Sequence, residues 1–128
     1  MLVVTHYNPT LLPKIRSNDL RSGVAEFRFC TLRIASFFGQ RCASHETIVA
    51  AHLGSLGKGM STKVSDLTTA GACLTCHNIV DMADMRAWDT IIREAPREVL
   101  NRIINALAET QTQHVLAGRI IIPKSTLI

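Results

Sequence analysis

Aromatic side chains are scarce in this chain of 128 residues: one Trp, one Tyr and four Phe, 5% of the total. The apolar fraction of 47% is ordinary, so a core can form, but with few of the large rings that bury most area per residue. A metal would supply what those rings do not, because the binding energy of a structural metal is also folding energy. No apolar run approaches the ~18 residues of a membrane span. No charged segment followed by an apolar stretch opens the chain as a secretory signal would. Internal repeats and low-complexity tracts are missing as well. These absences lead us to expect one domain over residues 13–128 after an N-terminal extension, 1–12, with no membrane partner and a cytoplasmic setting. Structural disulfides are rare in that setting, which leaves the four cysteines as metal ligands or catalytic groups.

Charge is unevenly spread. Residues 1–63 carry eight Lys/Arg against three Asp/Glu, and residues 64–128 carry six against seven, so the net +4 divides as +5 and −1. A basic half favours polyanions, nucleic acid first, although a solvated basic face has the same composition.

The pattern along the chain predicts an α+β domain. Ser17 is placed to cap a short helix with Leu20, Val24 and Phe27 on one face. A hairpin or knuckle is expected between Cys30 and Cys42, around Phe37-Phe38-Gly39. Strands are expected at Ile48–Leu53 and Leu67–Ala72, separated by the polar loop Gly54–Lys63. A helix then opens at Thr75 or Cys76 and runs to about Asp84, and another covers Arg86–Glu94. Pro96 suits the first turn of a longer helix, whose stripe of Leu100, Ile103, Ile104, Leu107 and Val115 continues to Gly118. Arg119–Ile122 reads as a closing strand.

Within that order, Cys73-Leu74-Thr75-Cys76-His77 is the most specific motif. A Cys-x-x-Cys pair holds a metal at a tight turn, and Cys30 with Cys42 would complete a tetrahedral zinc site. His45 is an alternative to Cys42, and a set of buried reduced thiols is the metal-free alternative. Cys-x-x-Cys-His is also the attachment sequence of c-type haem, but that reading needs an extracytoplasmic setting and leaves Cys30 and Cys42 unexplained. Two histidines, His52 at the end of the first strand and His77 on the following helix, then remain for chemistry. Hydrolysis of a phosphodiester requires a base for water and a divalent cation for the developing charge, and neutral imidazole serves as either base or ligand. Asp81, four residues after His77, shares its helical face; a solvated carboxylate would look the same. Lys58 and Lys63 in the polar loop are candidates for phosphate contacts, or are simply exposed. Trp88 with Ile91 and Ile92 reads as core.

The segment from Pro13 to Asp81 resembles the small HNH-type nucleases encoded by lambdoid phages and prophages. The likeness is carried by Pro13-Lys14-Ile15-Arg16-Ser17, Leu20-Arg21, Cys30-Thr31-Leu32-Arg33-Ile34, Glu46-Thr47, Ala51-His52-Leu53, Lys58-Gly59-Met60, Asp66-Leu67 and Ala72–His77. It implies a treble-clef-like ββα-metal core over about residues 30–84 with a helical part over 85–128. It also implies structural zinc on Cys30, Cys42, Cys73 and Cys76, and DNA cleavage in the cytoplasm of a bacterial host. His52 matches the general base of such enzymes and His77 the helix histidine that holds a catalytic cation, Mg²⁺ or Mn²⁺. Two positions depart from the pattern: Ala51 stands where an acidic ligand often precedes the first histidine, and Thr68 where the middle asparagine is expected. Asp66 or Asp81 is then the candidate to complete the cation site. Arg33, Arg41, Lys58 and Lys63 are the candidate DNA contacts, and the last long helix is a candidate homodimer surface. The reading from another class is a non-catalytic zinc module that binds DNA or protein.

Overall fold

The computed structural model describes residues 13–53, 65–81 and 85–128. The extension 1–12, the loop Gly54–Lys63 with Lys58 and Lys63, and the expected helix end at 82–84 lie outside them. The first helix, α1 (Asn18–Gly23), begins as the sequence predicts: Ser17 is extended and its hydroxyl accepts the Leu20 N–H at 3.2 Å, which satisfies one of the orphan donors of the first turn. A 3₁₀ turn, Val24–Glu26, follows. Leu20, Val24 and Phe27 all end up buried, so the expected face is the inner one.

Two further 3₁₀ turns, Ala35–Phe38 and His45–Thr47, take the chain to a two-stranded sheet. Gly39 closes the first of them at φ +68°, a conformation that glycine adopts without penalty. Strand β1 (Val49–His52) pairs antiparallel with β2 (Thr69–Ala72), Val49 opposite Ala72 and His52 opposite Thr69. Helix α2 (Leu74–Val80) starts directly after β2, so the predicted order of strand, strand and helix is present. Helices α3 (Met85–Glu94) and α4 (Pro96–Leu116) complete the chain, with Pro96 in the first turn of α4.

All four residues of β2 are buried. Its outer edge does not face water. The Gly71 carbonyl accepts both the N–H and the hydroxyl of Thr31, at 2.8 and 2.9 Å, and the Gly71 N–H donates to Thr110 Oγ1 of α4 at 3.0 Å. Thr31 and Thr110 hydroxyls also meet at 3.0 Å. An edge that would otherwise invite pairing with another chain is thereby covered from within. The main core joins Leu32, Ile34, Ala51, Trp88, Val99 and Ala106 with the buried cysteines. Trp88 stacks on Phe38 with ring centroids 5.9 Å apart and planes within 4°, a core position as expected.

Two expectations are corrected. The inner face of α4 is Val99, Ala106, Thr110 and His114; of the expected apolar stripe, Ile103 and Leu107 pack half-buried at the edge of the core, while Leu100 and Ile104 are 54% and 62% exposed. The helix is rotated because small Ala106 and hydrogen-bonding Thr110 suit close approach to the edge of β2, and larger residues do not. Arg119–Ile122 also forms no strand. The N–H groups of Arg119 and Ile120 bind the His114 carbonyl, at 2.8 and 3.2 Å, and so finish α4 instead of pairing with a sheet. Among the described residues the sheet has two strands, and no helix is long and apolar enough to cross a membrane.

Candidate functional site

Three separate segments bring the four cysteines together. Cys30 follows α1, Cys42 precedes β1, and Cys73 and Cys76 open α2, where Cys73 stands at the N-cap. Their Sγ atoms all lie within 4.8 Å of one another, and Cys42 and Cys76 are 3.7 Å apart. Four sulfurs on a tetrahedral ion with bonds of about 2.3 Å would be separated by about 3.8 Å, so the cluster is compatible with a metal site. Cys30, Cys73 and Cys76 are buried and Cys42 is exposed, which leaves the cluster close to the surface on one side. His45, the alternative ligand, is not part of this set.

The backbone around the sulfurs is arranged for thiolates. Cys30 Sγ accepts the N–H of Arg33 at 3.4 Å and of Cys73 at 3.3 Å, and Cys73 Sγ accepts that of Ala43 at 3.3 Å. Arg33 takes φ +45° to aim its N–H this way, an uncommon conformation for a residue with a side chain. Arg33 is held there by its guanidinium, which meets Glu109 of α4 at 2.8 and 3.1 Å and lies 5.5 Å from the Phe29 ring centroid. The hydrogen bond to Cys76 pulls the Cys30 thiol down to about 5, against the opposing effect of burial. Burial first, and then the Cys30 charge, push Cys42 up to about 11. Cys76 is raised by its hydrogen bond to Cys30, with burial second. The sulfurs cannot all ionise side by side; a divalent cation is what would let them.

His52 ends β1. Its Nε2 lies 2.9 Å from Oδ1 of Asp66, fourteen residues on and across the hairpin. Asp66 is buried, and its other oxygen, Oδ2, accepts the Ser17 N–H at 2.6 Å and faces Arg21 Nε at 3.3 Å. Burial alone would raise this carboxyl, but His52, the Ser17 N–H and Arg21 outweigh it and hold it below the usual carboxylate range. The backbone fixes the same junction: Asp66 N–H donates to the Ile15 carbonyl at 2.8 Å and Leu53 N–H to that of Thr68 at 2.8 Å. Thr68 therefore works as a turn residue through its carbonyl. Ala51 is buried in the core, 1% exposed, so in this register a carboxylate at 51 would point away from solvent. On α2, His77 Nε2 lies 3.5 Å from Oδ2 of Asp81, one turn later. The structure thus joins Asp66 to His52 and Asp81 to His77.

A cleft of about 290 Å³ lies beside the cysteine cluster, lined by Arg28, Phe29, Arg33, Cys42 and His45 among others. Phe29 is 41% exposed there. Arg41 is exposed, whereas the charge of Arg33 is shared with Glu109, which also holds Arg102 at 2.7 Å. No motif or period marks the buried polar side chains of Thr31, Thr110 and His114. Thr110 stands four residues after Ala106 and four before His114 on the buried face of α4, and a threonine there carries no local signal of its burial. The pairing of His52 with Asp66 was also missed, since only contact across the hairpin reveals it. No protein-family model, curated protein or solved structure matches this chain.

Proposed function

We propose that this protein is a zinc-stabilised endonuclease of the HNH type that hydrolyses DNA phosphodiester bonds. The observation that carries the reading is one strand–strand–helix unit. In it β1 ends on His52 bonded to a buried carboxylate, and α2 carries His77, next to Cys76 of the cysteine cluster, with Asp81 3.5 Å from it one turn later. Cys30, Cys42, Cys73 and Cys76 would hold the scaffold zinc, and their spacing and N–H···S bonds suit it. His77 and Asp81 would hold Mg²⁺ or Mn²⁺, which supplies stabilisation of charge on the phosphate and the leaving oxygen. His52 takes a proton from water as the water oxygen bonds to phosphorus. The bond from phosphorus to the 3′ oxygen then breaks, and that oxygen is protonated by solvent, leaving a 5′ phosphate and a 3′ hydroxyl. Arg28 and Arg41, at or near the cleft, together with Arg33 and the lysines Lys58 and Lys63, are the side chains to position the DNA backbone.

The test is cleavage of supercoiled and branched DNA by zinc-loaded protein with Mg²⁺, with Mn²⁺ or with neither. Cation-dependent cutting is expected, with His52→Ala losing at least about a hundredfold, the usual worth of a general base, while DNA affinity and zinc content stay unchanged. Equal cutting by the variant removes His52 from the mechanism. A second reading, a non-catalytic zinc module that binds DNA or protein, is favoured by the core-facing Ala51, which offers no acidic ligand beside His52. Cation-independent DNA binding with no cleavage by the folded, zinc-loaded protein would establish it instead.

A further inference from the structure

Asp66 occupies an unusual electrostatic position for a carboxylate near a candidate base. Its two oxygens face different partners. Oδ2 accepts the Ser17 N–H at 2.6 Å and lies 3.3 Å from the Arg21 guanidinium, whose Nε–H goes to the Ser17 carbonyl at 3.4 Å. The Ser17 N–H has no acceptor option of its own, and Arg21 has none either. The backbone around it is pinned, since Ser17 caps α1 and Ile15 accepts from Asp66. Oδ1 is left for His52 Nε2 at 2.9 Å. An ionised carboxylate only accepts, so His52 must present Nε2–H to it.

We infer that Asp66 is a positioning residue that locks His52 as the Nε2–H tautomer, which makes Nδ1 the basic nitrogen of the ring. This rests on the proposed role of His52 as general base. The α1 segment becomes part of the active site through it, although no residue of α1 is required to touch substrate. Ser17 and Arg21 act by dictating which way the acid at 66 can face.

The consequence is specific to one isosteric change. In Asp66→Asn the amide oxygen goes to the side of the fixed Ser17 N–H and the Arg21 charge, because placing NH₂ there would set donor against donor and cation. The NH₂ group must then point at His52 Nε2, which can only accept. The ring switches to the Nδ1–H tautomer and its basic nitrogen moves to the wrong side. A carboxylate that merely filled space or supported the turn would leave the tautomer alone.

The experiment reads the His52 tautomer by long-range ¹H–¹⁵N NMR of the zinc-loaded protein at mildly alkaline pH, where imidazole is neutral, with His52→Ala to assign its signals. The wild type should show Nε2–H and Asp66→Asn should show Nδ1–H. In parallel, kcat for DNA cleavage should fall at least about a hundredfold in Asp66→Asn with KM nearly unchanged. A wild-type His52 carrying its proton on Nδ1 overturns the inference even if the variant does not fold. So does an Asp66→Asn protein that keeps Nε2–H, or one that keeps the wild-type kcat. If both tautomers are as expected but the wild type cuts no DNA with any cation, the clamp stands and the nuclease reading falls.

Discussion

His114 couples the segment after α4 to the turn after α1 through a single buried ring. Its Nδ1 accepts from Arg119 Nε at 2.9 Å, Arg119 continues to Glu26 at 2.9 Å, and the Phe27 ring lies 5.7 Å away. The other nitrogen, Nε2, is buried with no hydrogen-bond partner among the described residues. Burial first, and the adjacent Arg119 charge second, lower its pKa from the ordinary 6.5. The unfolded chain therefore takes up this proton before the folded one does. Stability from the neutral ring is complete above about pH 6.5 and is lost as the pH falls from there toward the lowered folded value. Urea midpoints measured between about pH 7 and about pH 5 should fall less steeply in His114→Gln than in the wild type. Parallel slopes would mean that the ring is not the titrating group. Little of this was legible beforehand. Ser17 could be read as a cap because capping is local, but a histidine at the end of an amphipathic helix looks solvated until Arg119 and Phe27 are brought against it.

The joint between β2 and its neighbours shows the same division among elements. Strand β2, α2 and α3 could be read to within a few residues, since their signals are period and termini. Helix α4 was found in place but rotated, because its stripe of large apolar residues competes with a polar requirement that no period reports, the outer edge of β2. The Arg119–Ile122 strand failed for a related reason: β-branched composition marks a strand only where an edge is available to pair. Glycine at 71 belongs to this joint. A Cβ built there would stand 2.5 and 2.7 Å from two carbons of the Phe27 ring, and Phe27 is itself wedged against Val24 and Ile48. Gly71→Ala should thus cost roughly 1–3 kcal/mol by overpacking, measured by urea denaturation. Combining it with Phe27→Leu, which removes the ring, should recover part of that loss in a double-mutant cycle. A full-cost alanine in the Phe27→Leu background would place the strain in the backbone instead.

For the whole molecule, the zinc proposed on the cysteine cluster raises the question of what the fold becomes without it. The cluster ties the segment after α1, the segment before β1 and the start of α2 to one point, and few aromatic rings back it up. Apparent binding energies of structural zinc in small domains are about 10–16 kcal/mol, as large as the whole stability of a typical domain, about 5–15 kcal/mol. Removing the ion should therefore unfold the core rather than loosen it. Helix α4 is the sensitive reporter. At 21 residues it is the longest element among the described residues, but an isolated helix of that length is marginal in water. Its inner face is held by Thr110 on Gly71 and by Glu109 on Arg33, whose backbone N–H also serves Cys30. Losing the cluster releases both anchors together. If the cluster holds zinc as proposed, treating the zinc-loaded protein with a strong chelator should release that ion and abolish the helical circular dichroism of α4 in the same transition, with Cys76→Ser isolated in the same state. A chelated protein that keeps its helical signal while giving up the metal would mean that α4 and β2 fold on their own packing, with the cysteine cluster as an accessory to them.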